Sequence, residues 1–224
     1  MISPDLLEQL RQIDTPTLSN AIEKLEVRSR VSGFASSRLQ SLTPELGVMC
    51  GYVATATSVT MSQEVAPAST DYYLDLCEQL ERVDGPAVVV IQEVGPHRDF
   101  ACVCGDVMAN MFGRFGAVGV VADAAVRDLD GIREVPLRVF ATGLVASHGN
   151  LHFTDVGCPV TVEGLRLHPG DLVHGDQNGL IVVPQDGAER LPDLAREITE
   201  REQSIISTAK AGGSIEDLRK LRGT

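Results

Sequence analysis

The stretch that most constrains the fold is residues 104–134, CGDVMANMFGRFGAVGVVADAAVRDLDGIRE. It reads as a glycine turn, a short helix, a buried strand and a polar strand end. Gly105 permits a sharp turn and a close approach of ligand to backbone. Asp106 follows as a helix N-cap or first-turn acid. Val107, Met108, Met111 and Phe112 have helical spacing, and Gly113 or Gly116 can end the helix. Residues 117–122 form a short apolar run of the kind found in a sheet covered on both faces. Asp123, Arg127 and Asp128 come just past it. In open α/β sheets, ligands gather at the carboxyl ends of strands and at helix N-termini.

The chemistry lies in the spacing. Asp106 is followed, after twenty intervening residues, by Arg127 and Asp128. A helix and a strand of this size bring the chain back near its start. The backbone amides of Val107 and Met108 would then lie beside the Arg127 guanidinium and the Asp128 carboxylate. Amides and a guanidinium suit a carboxylate, and an acidic side chain suits a divalent cation. A substrate carrying a carboxylate next to a ketone satisfies both. A strand-end salt bridge with an acidic first helical turn accounts for the same residues, and spacing alone favours that structural explanation.

This block resembles the signature of the 4-hydroxy-4-methyl-2-oxoglutarate aldolase family, which shares its fold with the regulators of ribonuclease E activity (RraA-like proteins). The family pattern is G-[DE]-x-x-A, a G-x-x-G-x-V strand, then D-G-x-V-R-D. The matching residues are Gly105, Asp106 and Ala109, then Gly116, Gly119 and Val121, then Asp123, Val126, Arg127 and Asp128. Ala124 stands where the pattern has its last glycine. The resemblance extends from about Leu10 to the C-terminus and is specific in this block. It implies an α/β fold, a swivelling β/β/α sandwich with peripheral N- and C-terminal helices. One domain would cover residues 1–186, with residues 187–224 a helical tail packing on a neighbouring subunit.

The resemblance also implies an activity. This would be a divalent-metal-dependent, pyruvate-releasing aldolase acting on 4-hydroxy-4-methyl-2-oxoglutarate or 4-carboxy-4-hydroxy-2-oxoadipate, with oxaloacetate decarboxylase activity. Breaking the C3–C4 bond leaves a pyruvate enolate, whose charge Arg127 and a metal would stabilise. Asp128 would hold the metal, Mg²⁺ or Mn²⁺, directly or through water. Gly105, Val107, Met108 and Arg127 would bind substrate, and Asp106 would orient Arg127 or serve a proton relay. Family members carry a glutamate in a C-terminal helix that reaches a neighbour's substrate; Glu202, with Glu200 nearby, is the matching residue here. Trimers, often stacked as hexamers, follow from the same resemblance. The competing class on this fold is a non-catalytic regulator that binds a ribonuclease. Such regulators lack the complete acid and Arg-Asp set. The central block has no lysine for a Schiff base, and no glycine-rich cofactor turn follows an early strand as a methyltransferase would need.

A length of 224 residues suits one α/β domain with peripheral helices. A net charge of -12 repels phosphate backbones and argues against nucleic acid as a partner. No signal pattern or run of membrane-spanning length is present. The five scattered cysteines, an odd number, point to a reducing, cytoplasmic compartment. Cys102 and Cys104, on alternate positions of a strand, lack the second pair of a zinc site and read as buried apolar residues. His148 and His152 have metal-like spacing, but Gly149 and Asn150 argue against the helix it requires. Asn20 is an ordinary polar position where the family usually has Asp.

The remaining segments read as follows. Helices are expected over residues 3–26 and 70–83. Strands are expected over 47–60, 87–91 and 135–140, and 158–183 is all-β with turns at Pro169-Gly170-Asp171 and 175–179. Residues 92–99 form a loop longer and differently charged than the family's acidic, glycine-rich one. His97 and Arg98 there either face the site or sit in solvent. The tail is helical and charged, with a thin apolar stripe at Ile198, Ile205 and Ile206.

Overall fold

The computed structural model describes residues 1–62 and 72–222. In chain order the elements are α1 (Pro4–Arg11), α2 (Thr15–Glu23), β1 (Gln40–Ser41), β2 (Met49–Val59), α3 (Tyr72–Arg82), β3 (Ala87–Glu93), α4 (Asp106–Arg114), β4 (Ala117–Ala122), β5 (Ala125–Val126), α5 (Leu129–Arg133), β6 (Arg138–Ala141), β7 (Gly143–Leu144), β8 (His152–Val156), β9 (Val160–Val162), β10 (Leu165–Leu167), β11 (Leu172–Asp176), β12 (Gly179–Val183), α6 (Leu191–Lys210) and α7 (Ile215–Arg222). The expected helix over 70–83 begins in the described residues at Tyr72; Thr70 and Asp71 lie outside them.

Among the described residues eight strands form the main sheet, in the order β1-β6-β4-β3-β2-β11-β12, with β8 also paired to β2. The centre, β2-β3-β4-β6, is parallel. Its strands are β-branched runs such as Val88, Val89, Val90 and Ile91, all with no exposed surface, as a sheet covered on both faces requires. β2 is long enough to serve two partners. Its first half pairs antiparallel with β11 and its second half with β8.

Alternation along β2 sends Cys50, Tyr52, Ala54 and Ala56 to one face and Met49 and Val53 to the other. Helices cover the first face. α3, α4 and α5 pack there around Leu76, Phe112 and Ile132. α1, α2 and the start of α6 pack beside them through Leu10, Leu18, Leu191 and Ile198. The other face is covered by the β9–β10 hairpin through Val160, Val162, Leu165 and Leu167, together with Leu39. The order is helices, main sheet, hairpin, which is the β/β/α sandwich with peripheral helices at both ends of the chain.

The N-terminal helices start at capping side chains. Ser3 Oγ accepts from Leu6 N, and Asp14 Oδ1 accepts from Thr17 N. Residues 129–133, expected as part of a polar strand end, form the short helix α5 instead, and the strand expected over 135–140 runs Arg138–Ala141. α6 buries Leu191, Ala195 and Ile198 against its own chain, whereas Glu200, Glu202 and Ile206 are exposed.

Candidate active site

Two short parallel segments build the candidate site. Residues 102–104 run beside 125–127, joined by Val103 N to Ala125 O (3.0 Å) and Arg127 N to Cys104 O (3.0 Å). One segment leads into Gly105 and α4, the other into Arg127, Asp128 and α5. The starts of both helices therefore meet at one place. Gly105 is the N-cap of α4 and Asp106 its first-turn acid.

Gly105 faces the charged pair directly. A Cβ there would lie 3.0 Å from Asp128 Oδ2 and 3.4 Å from Arg127 Nε. Glycine's role is close approach, since its φ of -133° suits any residue. Gly131 gives α5 the same freedom against Asp106, whose Cβ lies 2.8 Å from where a Gly131 Cβ would be.

Arg127 and Asp128 form an ion pair, Nε to Oδ2 at 3.1 Å, with side chains 36% and 45% exposed. That exposure decides the chemistry, because both groups remain open to a ligand. Arg127 Nη1 also points at the Ala146 carbonyl at 3.5 Å. Among the described residues this leaves Nη2 for an incoming anion. Asp128 sits in the left-handed region (φ 55°, ψ 40°) and caps no amide of α5. An aspartate tolerates that region better than most residues.

Asp106 lies beside this pair without joining it. Its Oδ1 accepts from Val107 N at 2.7 Å. Of the two amides expected to greet a substrate carboxylate, Val107's is thus engaged by an acid of its own helix. The residue that holds Arg127 here is Asp128. Val107 is 70% exposed at the rim, and Met108 packs onto the core below.

The remaining candidates fall elsewhere. Cys102 and Cys104 are buried and free. Burial raises both thiols, Cys104 to about 12, and with Cys102 the nearby Arg127 charge only partly opposes it. His148 lies in a loop and His152 on β8, its Nδ1 3.0 Å from the Asn150 carbonyl. His97 is paired edge-on with Phe100, and Arg98 turns inward to Asp123 and Glu163. Asn20 is exposed on α2. Glu202 is on the exposed half of α6, a helix that packs with α1, α2 and α7.

Among the described residues no three His, Cys, Asp or Glu side chains gather as a metal cage. A site offering one half-exposed carboxylate, with water supplying the other ligands, fits Mg²⁺ or Mn²⁺, which keep much of their hydration. It does not fit structural zinc, which takes four protein ligands. Ala146 and Gly131 were not legible in advance. Any residue can offer a carbonyl, and Asp130-Gly131 reads as an ordinary turn.

The fold and this strand-end cluster define an α/β protein with a basic–acidic pair at a helix N-terminus. The family described as RraA-like (Aldolase/RraA) matches residues 15–182, and the chain belongs to it. "Protein DlpA" of Legionella pneumophila is 27% identical over 70% of this chain, which spans only 27% of that longer relative. A Halalkalibacterium halodurans protein named "Putative 4-hydroxy-4-methyl-2-oxoglutarate aldolase" is 25% identical, covering 86% of this chain and 82% of its own. The solved structure of Streptomyces coelicolor RraAS2, titled an unusual member of the RNase ES inhibitor RraA family, superposes with a TM-score of 0.70. It covers 90% of this chain and 96% of its own at 23% identity, which shows a shared fold.

Proposed function

We propose that this protein is a divalent-metal-dependent lyase that releases pyruvate from hydroxylated 2-oxoacids and decarboxylates oxaloacetate. The observation that carries the reading is the open Arg127–Asp128 pair set against the Gly105 backbone. Substrates of the 4-hydroxy-4-methyl-2-oxoglutarate or 4-carboxy-4-hydroxy-2-oxoadipate type present a carboxylate and an adjacent ketone. Arg127 binds that end and stays beside the keto oxygen as negative charge grows there. Its planar fork meets two oxygens at once, which a lysine cannot do. Asp128 would hold Mg²⁺ or Mn²⁺, directly or through water, and a bound ion would supply Lewis-acid chemistry beside Arg127. Gly105 and the Met108 backbone would line the substrate's carboxylate end with Val107 at the rim, and Asp106, one of whose oxygens holds the Val107 amide, would take or return a proton there through the other.

The same reading assigns the exposed half of α6 and α7 to a neighbouring subunit in a homotrimer or homohexamer. Glu202, with Glu200 beside it, then serves the neighbour's site. The same reading places the protein in the cytoplasm. Among the described residues no helix is long and apolar enough to cross a membrane.

The test is a coupled assay for pyruvate over a panel of hydroxylated oxoacids and oxaloacetate. We expect release with Mg²⁺ or Mn²⁺, loss after exhaustive chelation and recovery on adding metal back. Full turnover in chelated, metal-free protein would remove the ion from this account. The second reading, a non-catalytic regulator that binds a ribonuclease, draws on the fold shared with the Streptomyces protein. It predicts no pyruvate from any substrate with metal present.

A further inference from the structure

The loop between β3 and the candidate site carries a clamp that the proposed chemistry has not used. Arg98 Nη1 lies 3.1 Å from each oxygen of Asp123, and Nη2 lies 2.8 Å from Glu163 Oε1. Asp123 ends the β4 region of the main sheet. Glu163 sits in the turn between β9 and β10 on the opposite layer. Both carboxylate side chains are 6% exposed and Arg98 is 32% exposed. One guanidinium thus joins a surface loop to two layers of the sandwich.

The two carboxylates are held from other sides too. Glu163 N donates to Asp123 Oδ1 at 2.9 Å, and Ser36 Oγ donates to Glu163 Oε2 at 2.8 Å. Arg38 adds a looser contact, Nε to Glu163 Oε1 at 3.8 Å, and reaches Asp99 at 4.0 Å. Glu163 itself is kept in the left-handed region at φ 44°. Burial raises the Asp123 carboxyl, against the Glu163 N–H and the Arg98 charge, which lower it. Desolvation lowers Arg98, but the two carboxylates more than offset it and its pKa is raised. Two buried acids this close need the cation between them.

What the clamp holds is the ribbon that makes the site. Four residues beyond Arg98, Cys102 bridges to Ala125, which lies two beyond Asp123. From there the paired segments 102–104 and 125–127 run together to Gly105 on one side and Arg127–Asp128 on the other. The Arg98–Asp123 contact therefore ties one end of this short pairing, and the site is its other end. Backbone bonds hold its outer edges, 125–126 to β7 and Cys102 N to the Ser147 carbonyl at 2.8 Å; the clamp is the side-chain tie between the loop that leads into 102–104 and the residue that leads into 125–127.

We propose that Arg98 is a positioning residue. By pinning loop 94–101 to Asp123 and Glu163, it sets the register that brings Gly105 against Arg127 and Asp128. Its effect on turnover rests on the lyase reading; its effect on the ribbon does not.

The test compares wild type with Arg98→Lys and Arg98→Ala in the full chain. Lysine keeps a charge but cannot bridge both carboxylates as the fork does. The first readout is amide hydrogen exchange, which reports local opening. Exchange at the Val103 and Arg127 amides should rise roughly tenfold or more in Arg98→Lys, while the β11–β12 pair at residues 172–183 stays near wild type. Unchanged exchange in the ribbon, or an equal rise everywhere, overturns the proposal, because Arg98 would then be inert or only a general stabiliser. If Arg98→Ala does not fold, the lysine variant decides. The second readout is pyruvate release, where kcat should fall with KM for the oxoacid changed far less. Loosened ribbon amides with unchanged kcat would refute positioning for the reaction. Absence of pyruvate from wild type would instead sink the lyase reading and leave the exchange result standing.

Discussion

Asp128 occupies a backbone region that costs a non-glycine residue on the order of 1–2 kcal/mol, and it does so where two helix starts converge. The left-handed turn sends its carboxylate back to Arg127 instead of onto the amides of α5. Strain of this kind clusters at functional sites. Gly105 offers the sharpest residue-scale test. A methyl group there would press on Asp128 Oδ2 at 3.0 Å while the backbone keeps an unstrained φ. Gly105→Ala should therefore melt close to wild type yet lose roughly tenfold to a hundredfold in kcat, the scale expected for displacing catalytic groups by a fraction of an ångström to an ångström. Full activity in a well-folded Gly105→Ala would mean that the pair and the glycine are neighbours without a shared task. The charged partners were legible because Gly105, Asp106, Arg127 and Asp128 carry their chemistry in their identity. The pairing of Asp106 with Val107's amide and the Ala146 carbonyl were not, since they depend on rotamer and backbone position.

At the scale of elements, α1 and α2 are fastened to β11 by His174, which has no exposed surface. Its Nε2 donates to the Leu10 carbonyl at 3.1 Å, which leaves Nδ1 to accept from Thr15 Oγ1 at 3.0 Å. Asp176 Oδ2 accepts from Thr15 N beside it. Burial lowers the His174 pKa, with the Leu10 carbonyl and the Asp176 charge opposing. The folded pKa is thus below the unfolded one, and the unfolded chain binds the extra proton. His174's contribution is complete above about pH 6.5, the ordinary histidine value, and is lost as pH falls from there through the depressed folded pKa. Melting temperature should drop across that window in wild type, and His174→Gln, though less stable at neutral pH, should show a smaller drop. Equal slopes for the two proteins would show that acid sensitivity arises elsewhere. The N-terminal helices and β3 could be read from capping residues and an unbroken apolar run. α5 could not be: five residues opened by a left-handed aspartate carry neither a cap signature nor enough length for a period. The Arg98 clamp was equally hidden, because its partners Asp123 and Glu163 are brought to it only by the folded layers.

At the scale of the whole molecule, the acidic chain, with a net charge of -12, holds one of its partly exposed cations, Arg127, at a strand end, and its C-terminal helices leave Glu200, Glu202, Ile206 and Ile215 exposed. If that tail completes a neighbour's site, Arg127→Ala and Glu202→Gln should each be inactive alone. Dissociated and reassembled together, they should recover part of the activity, because some interfaces then hold both intact groups. A fully active Glu202→Gln would remove the tail from catalysis. In the proposed reaction a divalent ion and a 2-oxoacid meet at Arg127 and Asp128. Mn²⁺ binding followed by water-proton relaxation reads that meeting directly, with and without oxalate as a stand-in for the pyruvate enolate, in wild type, Asp128→Ala and Arg127→Lys. Wild type should bind Mn²⁺ weakly and more tightly with oxalate. Arg127→Lys should keep the ion but lose the oxalate enhancement, and Asp128→Ala should lose the ion. Wild-type Mn²⁺ affinity in a folded Asp128→Ala would contradict the account.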